Sequence, residues 1–440
     1  MITTNDKADQ NSTSSYSDSS SDFEGVEDNV IFTSEGAVGV QRGRFGQRRL
    51  VDQKLVRIRK ENSAKSALQF EVTETLEADA MVIRVSEDRS LCAVGMANGD
   101  IRFFHLQRRY SLPVVMRLKA ANETLPCTDL KIFTIDRKTL VLATYASGYV
   151  RMWDYAALPN KGKLISEWKE EAIEGFPSAP VKEKYNQILC LAISCEYERF
   201  VTGGTDSYIR VYQRESKKPP RVLQPTIYSH QSNGHTNRIT AVVYHPRARW
   251  ESSYEHLFVS ASWDDSIQIW DDRVDGSLWQ YYGPHVSGND GLDIDPLHNV
   301  ILTCSWRRDK SLLQLWKFAS HAAFRGKGKG DHEDTFYKQP LTEFVYEPKT
   351  QSSQGYVAKF DPSFQFVIFG GSNENMLAVI DMSSKTVVAE TKELDNGIYS
   401  AVVYMDEEVK SWLRIIFTNA RSITIGRVHT TGAAVLQTEK

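Results

Sequence analysis

Seven times along this sequence, a short apolar run ending in small residues is followed, across a polar turn, by a second run that closes on an aromatic or equivalent position. The first members are LCAVG (91–95), LVLAT (140–144), FVTGG (200–204), LFVSA (257–261), VILTC (300–304), FVIFG (366–370) and RIIFT (414–418). The second are IRFFH (101–105), VRMWD (150–154), IRVYQ (209–213), IQIWD (267–271), LQLWK (313–317), LAVID (377–381) and ITIGR (423–427). A further apolar run precedes each pair, at 81–85, 128–133, 188–193, 239–244, 292–295, 356–360 and 399–404. Short apolar runs bounded by turn residues are strands rather than helices. Repeated units of this kind bury their faces by stacking on their neighbours. An all-β repeat protein follows.

The fourth unit states the pattern most completely. It opens on Gly234-His235, turns at Trp263-Asp264-Asp265 and ends on Trp270-Asp271. Alternation at period two puts Ile267 and Ile269 on one face and Gln268 and Trp270 on the other, and both faces tolerate apolar side chains because neighbouring sheets cover them. The unit resembles the WD-repeat family, whose blades carry a Gly-His near the start and a Trp-Asp near the end. The resemblance implies an all-β fold, a seven-bladed β-propeller over about residues 66–440. It also implies a hydrogen-bonded tetrad of His235, Ser260, Asp264 and Trp270, with Ser262 as the other choice for the hydroxyl. The closing positions Phe104, Trp153, Tyr212, Trp270, Trp316, Ile380 and Gly426 are 49, 59, 58, 46, 64 and 46 residues apart. A family repeat spans about 40–45 residues, so the excess is loop, mostly before blades three, four and six. Only blade four has the Gly-His, and the turn acid is Asp206, Asp264 or Asp309 in some blades but Asn98 and Ser147 in others. The tetrad is therefore expected whole in one blade, with packing holding the rest. Either residues 67–76 or 433–438 could close the ring; the former directly precede blade one and are favoured.

Ahead of the repeats the composition changes twice. Residues 1–40 form an acidic, Ser-rich tail with seven acids against Lys7 in its first thirty positions, too polar to bury a core and expected to be disordered. Ser19 and Ser21, with Asp22 and Glu24 three residues on, have the spacing acidophilic kinases prefer. Residues 41–65 form a basic linker, in which Arg42, Arg44, Arg48, Arg49, Lys54, Arg57, Arg59 and Lys60 face only Asp52 through position 60. It can pair with the acidic tail, remain solvated or bind an anionic partner. The net charge of −3 gives no global pull toward nucleic acid or membrane. No apolar run reaches the ~18 residues of a membrane helix. Five scattered cysteines read as buried small hydrophobes in a reducing compartment, so a cytoplasmic or nuclear rather than secreted protein is expected.

No constellation for chemistry stands out. GKGKG (326–330) lacks the Ser/Thr and flanking strand of a phosphate loop. His230, His235 and His245 have no Cys or carboxylate to complete a metal set, and nothing resembles a nucleophile elbow. A non-enzymatic scaffold without cofactor or metal is expected, binding other proteins, with a reader of modified peptides or of nucleic acid as the alternative and the oligomeric state open. The resemblance places partners on the rim formed by the turns before the tetrad acids, at Thr205, Trp263 and Arg308, with Trp306 and Arg307 beside the last. Trp and Arg are the side chains that most often carry interface energy. The run SASWDDSIQIWDDR (260–273) also resembles the box of WD-repeat substrate receptors of cullin-RING ubiquitin ligases, in which Arg273 would contact the ligase adaptor.

Overall fold

A computed structural model of the chain describes residues 54–60 and 68–430, and the two short strands Phe32–Thr33 and Gly36–Ala37. Within 68–430 the described residues exclude 107–110, 159–160, 174–182, 224–226, 229–230, 308–311, 320–339, 347–353, 392–393 and 407–410. Ser19 and Ser21 lie outside the described residues. The three strands expected in each of the seven units are all present, and each unit gains a fourth, outer strand. The inner strands are Ala80–Val85, Cys127–Ile135, Ile188–Ile193, Ile239–Tyr244, Leu292–Asp295, Gln354–Phe360 and Ile398–Met405. The protein is a seven-bladed β-propeller, and Gln69–Thr75 pairs antiparallel with Ser422–His429 as the outer strand of blade seven. That closing strand ties the start of the propeller to its end and leaves no open seam.

The core is distributed around the ring. Buried apolar residues group into clusters at the seams, each fed by two neighbouring blades. At the seam of blades four and five, Ile267, Ile269 and Tyr281 meet Leu292, Ile301 and Trp316. Strands covered on both faces need no polar side, and every residue of Leu257–Ser262 and Ser266–Asp271 is buried. The cysteines of the described residues are free thiols, and Cys92, Cys127, Cys190 and Cys304 pack as buried side chains. Among the described residues no helix is long and apolar enough to cross a membrane.

Residues 54–60, expected as part of a linker, form a strand. Lys54–Lys60 runs parallel to the outer strand of blade five, Thr342–Tyr346, and to that of blade six, Thr386–Thr391, joining the two blades into one nine-stranded sheet.

At the centre, where an apolar plug would leave the inner strands free to slide, the seven blades meet in a polar hub. Arg84 of blade one reaches Asp129 of blade two at 2.8 Å and Asp290, just before the inner strand of blade five, at 3.0 Å. Asp129 also accepts hydrogen bonds from Leu191 N of blade three at 3.1 Å and from the Asn289 amide at 2.5 Å. Asn289 in turn accepts from Val242 N of blade four at 2.9 Å. The Ser400 hydroxyl of blade seven donates to Asp290, and Lys359 of blade six lies 3.6 Å from the same carboxylate. Burial pushes the Asp290 carboxyl up, but Arg84, Lys359 and Ser400 outweigh it and hold it at about 2.

Breaking such a group from one side leaves a buried charge uncompensated, so Asp290→Ala should lower unfolding free energy by about 3–5 kcal/mol in urea titrations. The depressed carboxyl also sets an acid limit. Its stabilisation is fully present above the ordinary value of 3.8 and is lost as pH falls toward about 2. Melting temperature should therefore drop through that window, and by less in Asp290→Asn.

Candidate protein-docking rim

Each blade turns from its second to its third strand on one face of the ring, and what holds these turns decides what the rim can present. In blade four, His235 Nδ1 lies 2.9 Å from Asp264, its Nε2 lies 2.6 Å from the Ser260 hydroxyl, and the Trp270 indole donates to that hydroxyl at 2.7 Å. Ser262 stands apart, donating to Asn237 O and accepting from Asp264 N. Burial raises the Asp264 carboxyl, yet His235, the Ser266 hydroxyl and Thr236 N bring it down to about 2. The chain of bonds is buried and each member has a partner, so it locks the turn carrying Trp263.

In blades two and three packing does not act alone; buried carboxylates and arginines take the place of the missing His. In blade three, Glu170 accepts from the Thr202 hydroxyl at 2.5 Å, Tyr212 OH at 2.8 Å and the Asn186 amide at 2.6 Å. Arg210 lies 3.5 Å from Glu170 and 2.6 Å from Asp206, the turn acid. In blade two, Glu123 accepts from Ser147 at 2.7 Å and pairs with the buried Arg151, which also reaches Glu167. Blade five has the indole link, Trp316 to the Thr303 hydroxyl at 3.0 Å, and its candidate turn acid Asp309 lies outside the described residues. A carboxylate accepts several bonds at once, and arginine supplies the donors. The substitution escapes a search for Gly-His because Glu170 and Glu123 lie in loops with no signature of their own.

On this frame an aromatic ridge runs from blade four to blade seven. Trp263 is 37% exposed, with the Arg238 guanidinium 4.4 Å from its ring centroid. His285 lies 5.5 Å from Trp263 and 6.0 Å from Trp306, centroid to centroid. Asp265 joins them, its two oxygens 2.6 Å from His285 Nδ1 and 2.6 Å from the exposed Arg307. Backbone bonds carry the ridge onward: Trp306 N to His285 O at 2.9 Å and Gly355 N to Ser305 O at 3.0 Å. Tyr356 and Tyr399 follow, edge to face at 4.8 Å. Of the sequence candidates, Trp263, Trp306 and Arg307 thus come together, while Arg308 lies outside the described residues. Thr205 is half-buried and tied to the neighbouring loop, accepting from Gln187 N at 3.1 Å. Sequence reasoning missed Arg238, His285, Tyr356 and Tyr399, which sit in the loops and strand starts entering blades four to seven.

Arg273 occupies the opposite end of blade four, beyond the six-residue strand Ser266–Asp271. Its side chain is 58% exposed but folds back on Asp271, with contacts of 2.6 and 2.9 Å. It borders a cleft of about 410 Å³ shared with Arg199, Lys218, Arg221 and His256. There His256, Asp271 and Asp272 bring ligand-type atoms within 4.8 Å of one another. Those atoms are committed to protein donors: Asp272 accepts from Arg199 at 3.0 Å and Tyr244 at 2.9 Å, and Asp271 is held by Arg273.

Comparison with known proteins agrees with the blade-four geometry. The family described as "WD domain, G-beta repeat" matches residues 227–271. The chain is 25% identical over 136 residues to the target of rapamycin complex subunit wat1 of Schizosaccharomyces pombe, covering 30% of this chain and 37% of that protein. It is 26% identical over 231 residues to pre-mRNA-processing factor 19 of Bos taurus, covering 52% of this chain and 37% of that protein. The matches thus span well under half the length of either relative.

The carboxylate that replaces His in blade three has a measurable role. Glu170→Ala should cost about 3 kcal/mol or more, because Thr202, Tyr212 and Asn186 lose their acceptor and Arg210 loses a buried counter-charge. Thermal denaturation should show that loss, and Glu170→Gln should recover part of it.

Proposed function

Because the chain is a WD-repeat β-propeller, we propose that it is a non-enzymatic scaffold whose partners are proteins docked across the ridge of blades four to seven. The observation that carries this reading is the exposed Trp263 and Arg307 with the half-buried Trp306 beside them, fixed by Arg238, His285 and Asp265 on a stiff ring. Aromatic and arginine side chains held in place lose little entropy on binding, and this favours them as anchors. The strongly perturbed carboxylates, Asp264 and Asp290, are engaged in structural networks rather than aimed at a cleft. One relative is named as a subunit of a complex, which supports the same class of role. In this reading the propeller spans residues 66–440, the tail 1–40 carries Ser19 and Ser21 as phosphorylation candidates, and the basic stretch 41–65 leads into the ring.

A second reading rests on Arg273. Its exposed guanidinium at the end of the Trp-Asp-x-Arg box supports a cullin-RING substrate receptor, with the adaptor on the face opposite the ridge. An adaptor would have to draw Arg273 off Asp271.

The scaffold reading is tested by affinity purification with wild type and Trp263→Ala. The variant should lose part of a reproducible partner set, with affinity weakened by ~2 kcal/mol, while its melting temperature stays within a degree or so of wild type. Loss of all partners on nuclease treatment would point to nucleic acid instead. Arg273→Ala separates the second reading: stability should change by less than ~0.5 kcal/mol, and a ligase receptor would lose its adaptor. Wild-type protein that never recovers a cullin adaptor, with degradation blocked, removes that reading and leaves the scaffold.

A further inference from the structure

Blades one, two, three, four and seven end at their outer strands, which form the sheet edges among the described residues. Between blades five and six one more strand sits. Lys54–Ile58 faces Thr342–Tyr346 over five consecutive residue pairs, and Arg59 and Lys60 face Thr386 and Val387. The inserted strand is parallel to both, because the outer strands of adjacent blades run the same way and one strand can serve both edges. The Lys385 ammonium of blade six lies 5.5 Å from the ring centroid of Phe344 in blade five, so the two edges also touch directly. The inserted strand arrives from far away in sequence and is attached to the ring by residues 61–68, the link to the closing strand that begins at Gln69.

Strand pairing uses main-chain donors and acceptors, so the groove recognises extended backbone first and side chains second. What the tether contributes is effective concentration, not a contact that only this segment can make. The inserted sequence, Lys-Leu-Val-Arg-Ile-Arg-Lys, sets apolar residues among basic ones, and the blade-five edge it pairs with carries the acid Glu343, opposite Leu55. We propose that the outer edges of blades five and six form a strand-addition groove, filled in the isolated chain by its own residues 54–60. When that strand leaves, the groove takes an extended basic and apolar segment of a partner protein. This surface lies at the blades' outer edge and does not depend on the reading of the ridge.

The test uses the full chain carrying Val56→Pro and Ile58→Pro, which removes two amide donors from the middle of the strand. The probe is a fluorescent peptide with the sequence of residues 53–61. The variant should bind it one to one and at least about ten-fold more tightly than wild type, where the tethered strand competes. Amides of 342–346 should lose hydrogen-exchange protection in the variant and regain it with peptide. A peptide with its four basic residues replaced by glutamate should bind at least about ten-fold more weakly. A folded variant that keeps 342–346 protected, takes up no peptide, or binds both peptides alike overturns the proposal. If the proline variant does not fold, a protease site placed at 62–66 puts the same question to the native fold. After cleavage, excess peptide should displace the amino-terminal fragment. A fragment that cannot be displaced, or whose departure leaves exchange at 342–346 unchanged, also refutes it.

Discussion

Arg84 is buried where the inner strands converge, and a buried guanidinium admits few arrangements around it. Burial works against its charge, and Asp290 and Asp129 must both be in place to outweigh that penalty and raise its pKa. Those acids come from blades five and two, and their remaining bonds reach blades three, six and seven directly and blade four through Asn289. An apolar centre of equal volume would bind the sheets as well or better. It would not specify how far each inner strand is displaced along the channel. The ionic hub does, because a one-residue slip of any strand moves its polar group away and turns every side chain to the other face.

The same logic runs through the turns. A His–Asp pair, a Glu–Arg pair and a bare indole–hydroxyl bond are chemically unlike, yet each links a buried polar group of the second or third strand to a partner that fixes it. The requirement is satisfaction of buried donors and acceptors rather than a particular residue. Blade three shows this most fully, since Glu170 and Asp206 together compensate Arg210 and leave Tyr212 and Thr202 bonded. Blades two and three, which lack the Gly-His, are therefore differently wired, not weakly held.

Much of the fold was legible in the sequence. Strand existence and order followed from short apolar runs bounded by turn residues, such as ITAVVY and LFVSA, and the closing role of the segment near Gln69–Thr75 followed from its place before blade one. The tetrad residues were named from a resemblance, and the ridge was half seen through Trp263, Trp306 and Arg307. The hub was not seen. Arg84 and Ser400 are 316 positions apart, and each falls in a strand where a polar residue reads as an ordinary solvent-facing position. Glu170 was hidden for a related reason, since the loop around it has no periodicity and its partners lie 16 to 42 positions away. Residues 54–60 misled in the opposite sense: their charge suggested a solvated linker, while their alternation of apolar and basic residues suits a strand added at an edge.

These constraints explain why surface features of this propeller can serve as binding elements without moving the ring. Trp263 stands on a turn whose acid is bonded to His235 and whose neighbour Asp265 holds both His285 and Arg307. Its position is set by buried bonds below it, so a partner docking there would meet a preformed surface and lose little free energy ordering it. Arg273 is different: it lies past the end of its strand, its own side chain exposed and folded back on the buried Asp271. A partner on that face would have to supply a contact that outweighs the one Arg273 makes with Asp271. The strand at 54–60 is held by main-chain bonds along two edges, so its exchange disturbs neither the seams nor the hub. Rigidity at the centre and replaceable contacts at the margins are thus two results of one arrangement, in which the costly buried charges are spent on register and the surface is left to recognition.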